Sequence, residues 1–107
     1  MAEGRQIQDS GTNEEGKETM TYTIIFPPPA QKQFDKLEKN IQERILLSLE
    51  RIKVRPYQFV SRLSNSRYYK LRVGDYRVVI DIKNEQLIII VIEVGHRKNI
   101  YKRLDNL

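Results

Sequence analysis

Polar residues fill the first nineteen positions, where Gly, Ser, Thr, Asn, Gln and Glu leave almost nothing apolar. Such a stretch cannot bury enough surface to offset the entropy of ordering it. It reads as a disordered acidic tail, residues 1–19, ahead of a single domain, residues 20–107. The pattern then changes. Thr21-Tyr22-Thr23-Ile24-Ile25-Phe26 is rich in β-branched and aromatic residues and predicts a strand. Pro27-Pro28-Pro29 ends it, because proline cannot donate to a sheet ladder, and proline is tolerated in the first turn of a following helix. Beyond it the apolar positions Phe34, Leu37, Ile41, Ile45, Leu49 and Ile52 recur at steps of three or four, one face of a helix. Asn40 and Glu43 form a plausible capping pair, so the expectation is a helical hairpin, about 30–38 and 41–54. One continuous helix is the alternative. Arg55-Pro56 stops the run.

The second half is β in character. Tyr68 to Val73 and Tyr76 to Ile82 alternate, and Leu87 to Val94 is almost continuously apolar, as a central strand covered on both faces would be. Gly74-Asp75 suits a two-residue type II′ turn, and Lys83-Asn84-Glu85-Gln86 supplies the next. The fold class is therefore α+β: strand, two helices and a three-stranded antiparallel meander. The helices should lie on one face of a four-stranded sheet, with room for a short C-terminal helix.

The Gly74-Asp75 turn fixes a register that can be checked. Val73 should pair with Tyr76, Arg72 with Arg77, Leu71 with Val78 and Tyr69 with Ile80. Strand alternation then turns Tyr69, Leu71, Val73, Tyr76, Val78, Ile80 and Ile82 toward the helices, and Lys70, Arg72 and Arg77 to the other face. Like charges opposite each other on neighbouring strands disfavour a sheet by up to ~1 kcal/mol. An anion between them would reverse the sign; two guanidinium groups pointing into screening water would make it small.

Charge sharpens this picture. The chain of 107 residues has a formal net charge of +5, but residues 1–19 contribute two basic and five acidic side chains. The other 88 residues hold 17 basic and 9 acidic ones, a net +8 that suits a polyanion, an acidic protein or an anionic surface. With no Cys there is no disulfide and no thiolate metal site. No apolar run is long enough to span a bilayer and no secretory signal is evident, so a soluble cytoplasmic protein is the default. No cofactor or metal is called for. After the last strand, Gly95-His96-Arg97-Lys98-Asn99-Ile100-Tyr101-Lys102-Arg103 interleaves cations with an aromatic ring, a composition suited to single-stranded RNA. The other reading of that segment is a charged helix with Ile100 and Leu104 as its buried contacts.

These residues resemble a known family. Tyr69-Lys70-Leu71-Arg72-Val73-Gly74-Asp75-Tyr76-Arg77-Val78-Val79 is similar to the signature hairpin of RelE-like toxins. Val94-Gly95-His96-Arg97 resembles their strand end, Arg62-Leu63 the basic-Leu pair before the hairpin, and Tyr101 their C-terminal aromatic. The likeness covers about 21–104 and is more specific for the RelE/ParE superfamily than for its ribonuclease branch.

The resemblance implies a toxin of a type II toxin–antitoxin system that cleaves mRNA on the ribosome without metal. It implies a RelB-like antitoxin as partner, no membrane, and no DNA contact by the toxin alone. On that basis Lys70 and Arg72 would stabilise charge, and Lys70 could serve as base if its neighbours lower its pKa. Arg77 would grip the scissile phosphate, Arg97 would sit near the leaving oxygen, and Tyr101 would stack on a base. His96 would carry a proton if it faces the site. Arg62, Lys98, Lys102 and Arg103 would add RNA contacts. The alternative is a ParE-like or inactive relative that binds a protein target, such as a topoisomerase, or its antitoxin without cutting RNA.

Overall fold

A computed structural model describes residues 21–104 of the chain. The acidic stretch 1–19 lies outside the described residues. Five strands form one sheet: β1 (Thr23–Ile25), β2 (Val60–Arg62), β3 (Tyr69–Val73), β4 (Tyr76–Lys83) and β5 (Ile88–His96). Their order across the sheet is β1-β5-β4-β3-β2. β1 runs parallel to β5, and the other neighbours are antiparallel. Helices α1 (Pro28–Asp35) and α2 (Lys39–Ile52) follow β1, and α3 (Arg97–Leu104) follows β5. No helix among the described residues is long and apolar enough to cross a membrane.

The α+β class and the helical hairpin agree with the sequence expectation, while the strand count does not. β2 is the additional strand. Val60-Ser61-Arg62 is too short to show an alternation, and a 3-10 turn over Pro56–Gln58 delivers it to the edge. The helices begin about two residues early. α1 takes Pro28 into its first turn, and α2 starts behind Glu38, whose side chain makes no capping bond. Asn40 is therefore inside α2 and not its cap. Instead, Gln42 closes the helical hairpin: its Nε2 donates to the Phe34 and Leu37 carbonyls at 3.0 and 3.2 Å. The Phe34 carbonyl already accepts the Leu37 N–H at 3.0 Å, so Gln42 adds a second bond there and ties α2 to the connection between the helices.

The core forms between α1, α2 and one face of the sheet. Ala30 and Phe34 from α1 meet Ile45, Leu49 and Ile52 from α2 over Leu71, Val73, Val78, Ile80, Ile89, Val91 and Val94. Burying an aliphatic side chain of this size contributes ~1.5–3 kcal/mol each. The register of the β3–β4 hairpin is the one the turn implies, with Arg72 opposite Arg77. Gly74 has φ of 60°, and Asp75 is not among the residues with positive φ, as a type II′ turn requires.

β5 carries the irregularity that orients the site. Val79 pairs with Glu93 while the next residue, Ile80, pairs with Val91, so Ile92 is the extra residue of a β-bulge. Before the bulge, Ile89 and Val91 face the helices; after it, Val94 does. Glu93 and Gly95 are thereby turned to the opposite face, opposite Val79 and Arg77.

The helices do not all share one side of the sheet. α3 packs on the face away from α1 and α2, and Ile100 is buried there to 1% exposure. A Cβ at Gly95 would stand 2.9 Å from the Arg103 guanidinium and 3.6 Å from Ile100, so α3 lies close against the strand here. The Leu104 side chain lies outside the described part of the structure. β1 is short and leaves the upper part of β5 without a strand neighbour on the edge away from β4. There α1 supplies a substitute: Gln33 Oε1 accepts the Val94 N–H at 2.9 Å, and its Nε2 donates to Glu93 at 3.0 Å.

Candidate functional site

The face of the hairpin away from the core carries Lys70 and Arg72 on β3 and Arg77 on β4. α3 lies across it, and its position is set at both ends. The Arg97 N–H donates to the Asp75 carbonyl at 2.8 Å, tying the first residue of α3 to the hairpin turn. Further along, Arg103 Nε donates to Glu93 Oε1 at 2.8 Å, holding the last turn to β5. Between these anchors, Ile100 packs against Gly95, and Tyr101, one residue on, is delivered to the cations.

The Tyr101 phenol oxygen accepts from Arg77 Nε at 3.3 Å and from Lys70 Nζ at 3.4 Å. The Lys70 ammonium also sits 5.3 Å from the centre of the Tyr101 ring, a cation–π distance. Arg77 is 7% exposed, and its Nη1 donates to the Gly74 and Tyr76 carbonyls at 2.8 Å each. This explains how the hairpin tolerates two opposed arginines. The Arg77 guanidinium turns into carbonyl oxygens of its own turn, while Arg72 stays exposed. Hydrogen bonding by Arg77, joined by Lys70, lowers the Tyr101 pKa below the tyrosine value of 10.0, against the opposing effect of burial. A phenol so placed gives up its proton more readily than one in water, so its phenolate is more populated at a given pH.

The cations of this face divide into paired and unpaired groups. Arg67 and Lys83 approach the buried Asp81 carboxylate at 3.7 and 3.4 Å, and Arg103 is held by Glu93. Lys70, Arg72, Arg77 and Arg97 have no carboxylate within 4.0 Å among the described residues. The unpaired group surrounds Tyr101 and the hairpin turn, which is where an anion would be attracted.

Other residues singled out in the sequence stand elsewhere. His96 pairs with Tyr76 and, by strand alternation, belongs to the helix-side face; the two rings meet edge to face at 5.4 Å. Its Nδ1 accepts the Lys98 N–H at 3.2 Å, so it caps the start of α3. Arg62 pairs with Tyr69, also on the helix-side face, lies 5.7 Å over its ring, and donates to the Ser66 carbonyl at 2.9 Å. Lys98 and Lys102 are exposed on α3, beside the site but without contacts in it. Glu93 and Gln33, which position α3 and the edge of β5, had no signal in the sequence: a lone acid in an apolar run says nothing of its partners.

Comparison with known proteins places this geometry. Residues 24–101 match the family model described as the ParE toxin of the type II toxin–antitoxin system parDE. A RelE-like toxin protein of Escherichia coli is 33% identical over 82 residues, covering 74% of this chain and 86% of that protein. Among solved structures, the toxin in the Escherichia coli RelBE toxin–antitoxin complex is similar at TM-score 0.61 and 28% identity, covering 70% of this chain and 95% of that one. A doubly substituted RelE toxin of Escherichia coli in the free state gives 0.64 and 26%, covering 75% and 87%. A RelBE complex of Mycobacterium tuberculosis shares the fold at 0.67 and 22%, covering 75% and 95%. The chain belongs to the RelE/ParE family of toxins of type II toxin–antitoxin systems.

Proposed function

We propose that this toxin is a metal-independent endoribonuclease that cleaves mRNA on the ribosome and so stops translation. The observation that carries the reading is the Tyr101 oxygen held between Lys70 and Arg77, with Arg72 exposed alongside. The reaction needs no more than the substrate's own 2′-hydroxyl as nucleophile. That oxygen bonds to the adjacent phosphorus, its proton is taken up by a base, and the 5′-oxygen leaves with a proton, giving a cyclic phosphate and a 5′-hydroxyl. Cations aimed at the phosphoryl oxygens stabilise the added negative charge, and guanidinium does so with two parallel N–H groups. Arg72, Arg77 and Arg97 take that role, with Lys70 adding charge beside them. Tyr101 is the better placed proton acceptor, since its phenolate is favoured by the two donors and an arginine stays protonated. The same ring can stack on a base. Lys98 and Lys102 add charge for the flanking strand, while the placement of His96 and Arg62 on the other face argues against a direct role for either.

The solved relatives in complex with RelB antitoxins support a partner antitoxin for this chain as well. It would be acidic where it meets the cationic face. The match to a ParE model favours a second reading, a toxin that binds a protein target without cutting RNA. The two separate on expression in cells. Primer extension on mRNA should show breaks spaced by codons, and Arg77→Ala and Arg97→Ala chains that still fold should no longer arrest growth. Undiminished arrest by those variants, or DNA damage with intact mRNA, sinks the ribonuclease reading.

A further inference from the structure

Arg44, on α2, reaches the hairpin turn from the side opposite Arg77. A Cβ at Gly74 would stand 2.6 Å from Arg44 Nη2 and 3.3 Å from its Cζ, so the guanidinium lies directly on the backbone of the turn. On the other side, Arg77 Nη1 is bonded to the Gly74 carbonyl at 2.8 Å, and the first residue of α3, Arg97, donates its N–H to the Asp75 carbonyl. The two-residue turn is thus flanked by guanidinium groups on both faces of the sheet, with Arg97 at its tip.

Arg44 is exposed, and no carboxylate lies within 4.0 Å of it among the described residues. Asp75, the acid in the turn, makes no ion pair with it. Nothing in the fold needs a cation at this spot. Long arginine side chains lose rotamer freedom when they are laid across a surface, and no ion pair compensates here. Gly74 is required by its φ of 60°, and the Arg44 guanidinium lies in the space beside it.

We propose that Arg44 is an RNA-backbone contact, extending the cationic face around the hairpin tip to the helix side, so that a single strand bends over Gly74-Asp75 with phosphates on both sides. The proposal rests on the RNA reading above. Continuity with Arg77 and Arg97 favours a polyanion that follows a curved path over a flat acidic protein surface. Such a contact sets affinity and the position of the strand, and leaves the chemistry at Tyr101 untouched.

The test uses a short single-stranded RNA carrying 2′-O-methyl groups, which cannot be cut, with affinity followed by fluorescence anisotropy across a salt series. Arg44→Ala should weaken binding roughly threefold to tenfold at low salt and reduce the log–log salt slope by about 0.7, the value for one phosphate on a single strand. Arg44→Lys should keep the slope. An unchanged slope in Arg44→Ala, with Arg77→Ala impaired, overturns the proposal and leaves the RNA reading standing. Unchanged RNA binding with lost affinity for a polyglutamate peptide would assign Arg44 to an acidic protein instead. Absence of salt-dependent binding by the parent chain would overturn both.

Discussion

Tyr101 shows how much one residue's surroundings decide. Its ring composition suggested only stacking, yet its oxygen accepts from Arg77 and Lys70 and its ionisation is pulled below the usual tyrosine value. The sign follows directly: a cation that favours the phenolate lowers the pKa, so removing that cation raises it again. Arg77→Met and Lys70→Met should each move Tyr101 back up, with the larger change for Arg77. The phenolate absorbance of each chain, taken as a difference against its Tyr101→Phe counterpart, measures this. If Tyr101 accepts the 2′-hydroxyl proton, the cleavage rate rises with pH through its lowered pKa. The rising limb should shift to higher pH in Lys70→Met. An unshifted limb would assign the proton to another group. His96 teaches the opposite lesson. Counting by twos from Ile89 puts it on the face of Lys70; the bulge at Ile92 reverses that parity and sends it to Tyr76. An extra residue in a strand leaves no mark in an apolar run, so no pattern of Ile and Val could reveal it.

At the level of elements, legibility follows local chemistry. The β3–β4 hairpin could be read to the residue because Gly74-Asp75 dictates its own turn, and the turn dictates the pairing. The helical hairpin could be read to within two or three residues because its apolar stripe is regular, whereas its caps are not side-chain caps at all. β2 and the side taken by α3 could not be read, since both depend on contacts distant in sequence. α3 is held by few contacts: Ile100 beneath it, Glu93 at its end and Asp75 at its start. Replacing Ile100 by Ala should destabilise this docking by about 2–4 kcal/mol. Because α3 is short and docks through few contacts, the change should show first as faster amide exchange in Arg97–Leu104 and loss of activity, with a smaller effect on exchange in β4. Equal acceleration throughout would mean that α3 and the sheet open as one unit.

For the whole molecule, charge is the quantity that changes with boundaries. The full chain carries +5, and the same chain without residues 1–19 carries +8. Association with RNA should be faster for the shorter chain at low salt, and the difference should vanish as salt rises past the point where the Debye length falls below ~8 Å. Rates measured by stopped flow at both ionic strengths check this; equal rates at low salt would mean that the acidic stretch does not weaken the field of the domain.

The substitute that Gln33 provides for a missing strand neighbour reaches beyond the site. β1 ends at Ile25, opposite Ile90, so the N–H of Val94 would otherwise face outward on a strand made largely of Ile and Val. A bare edge of that composition is a template on which a second chain can add. Gln33 occupies one of the donors that such an addition would use. Gln33→Ala should leave the fold in place but increase association between copies at high concentration, as light scattering would record; unchanged scattering would mean that this N–H does not matter to the edge.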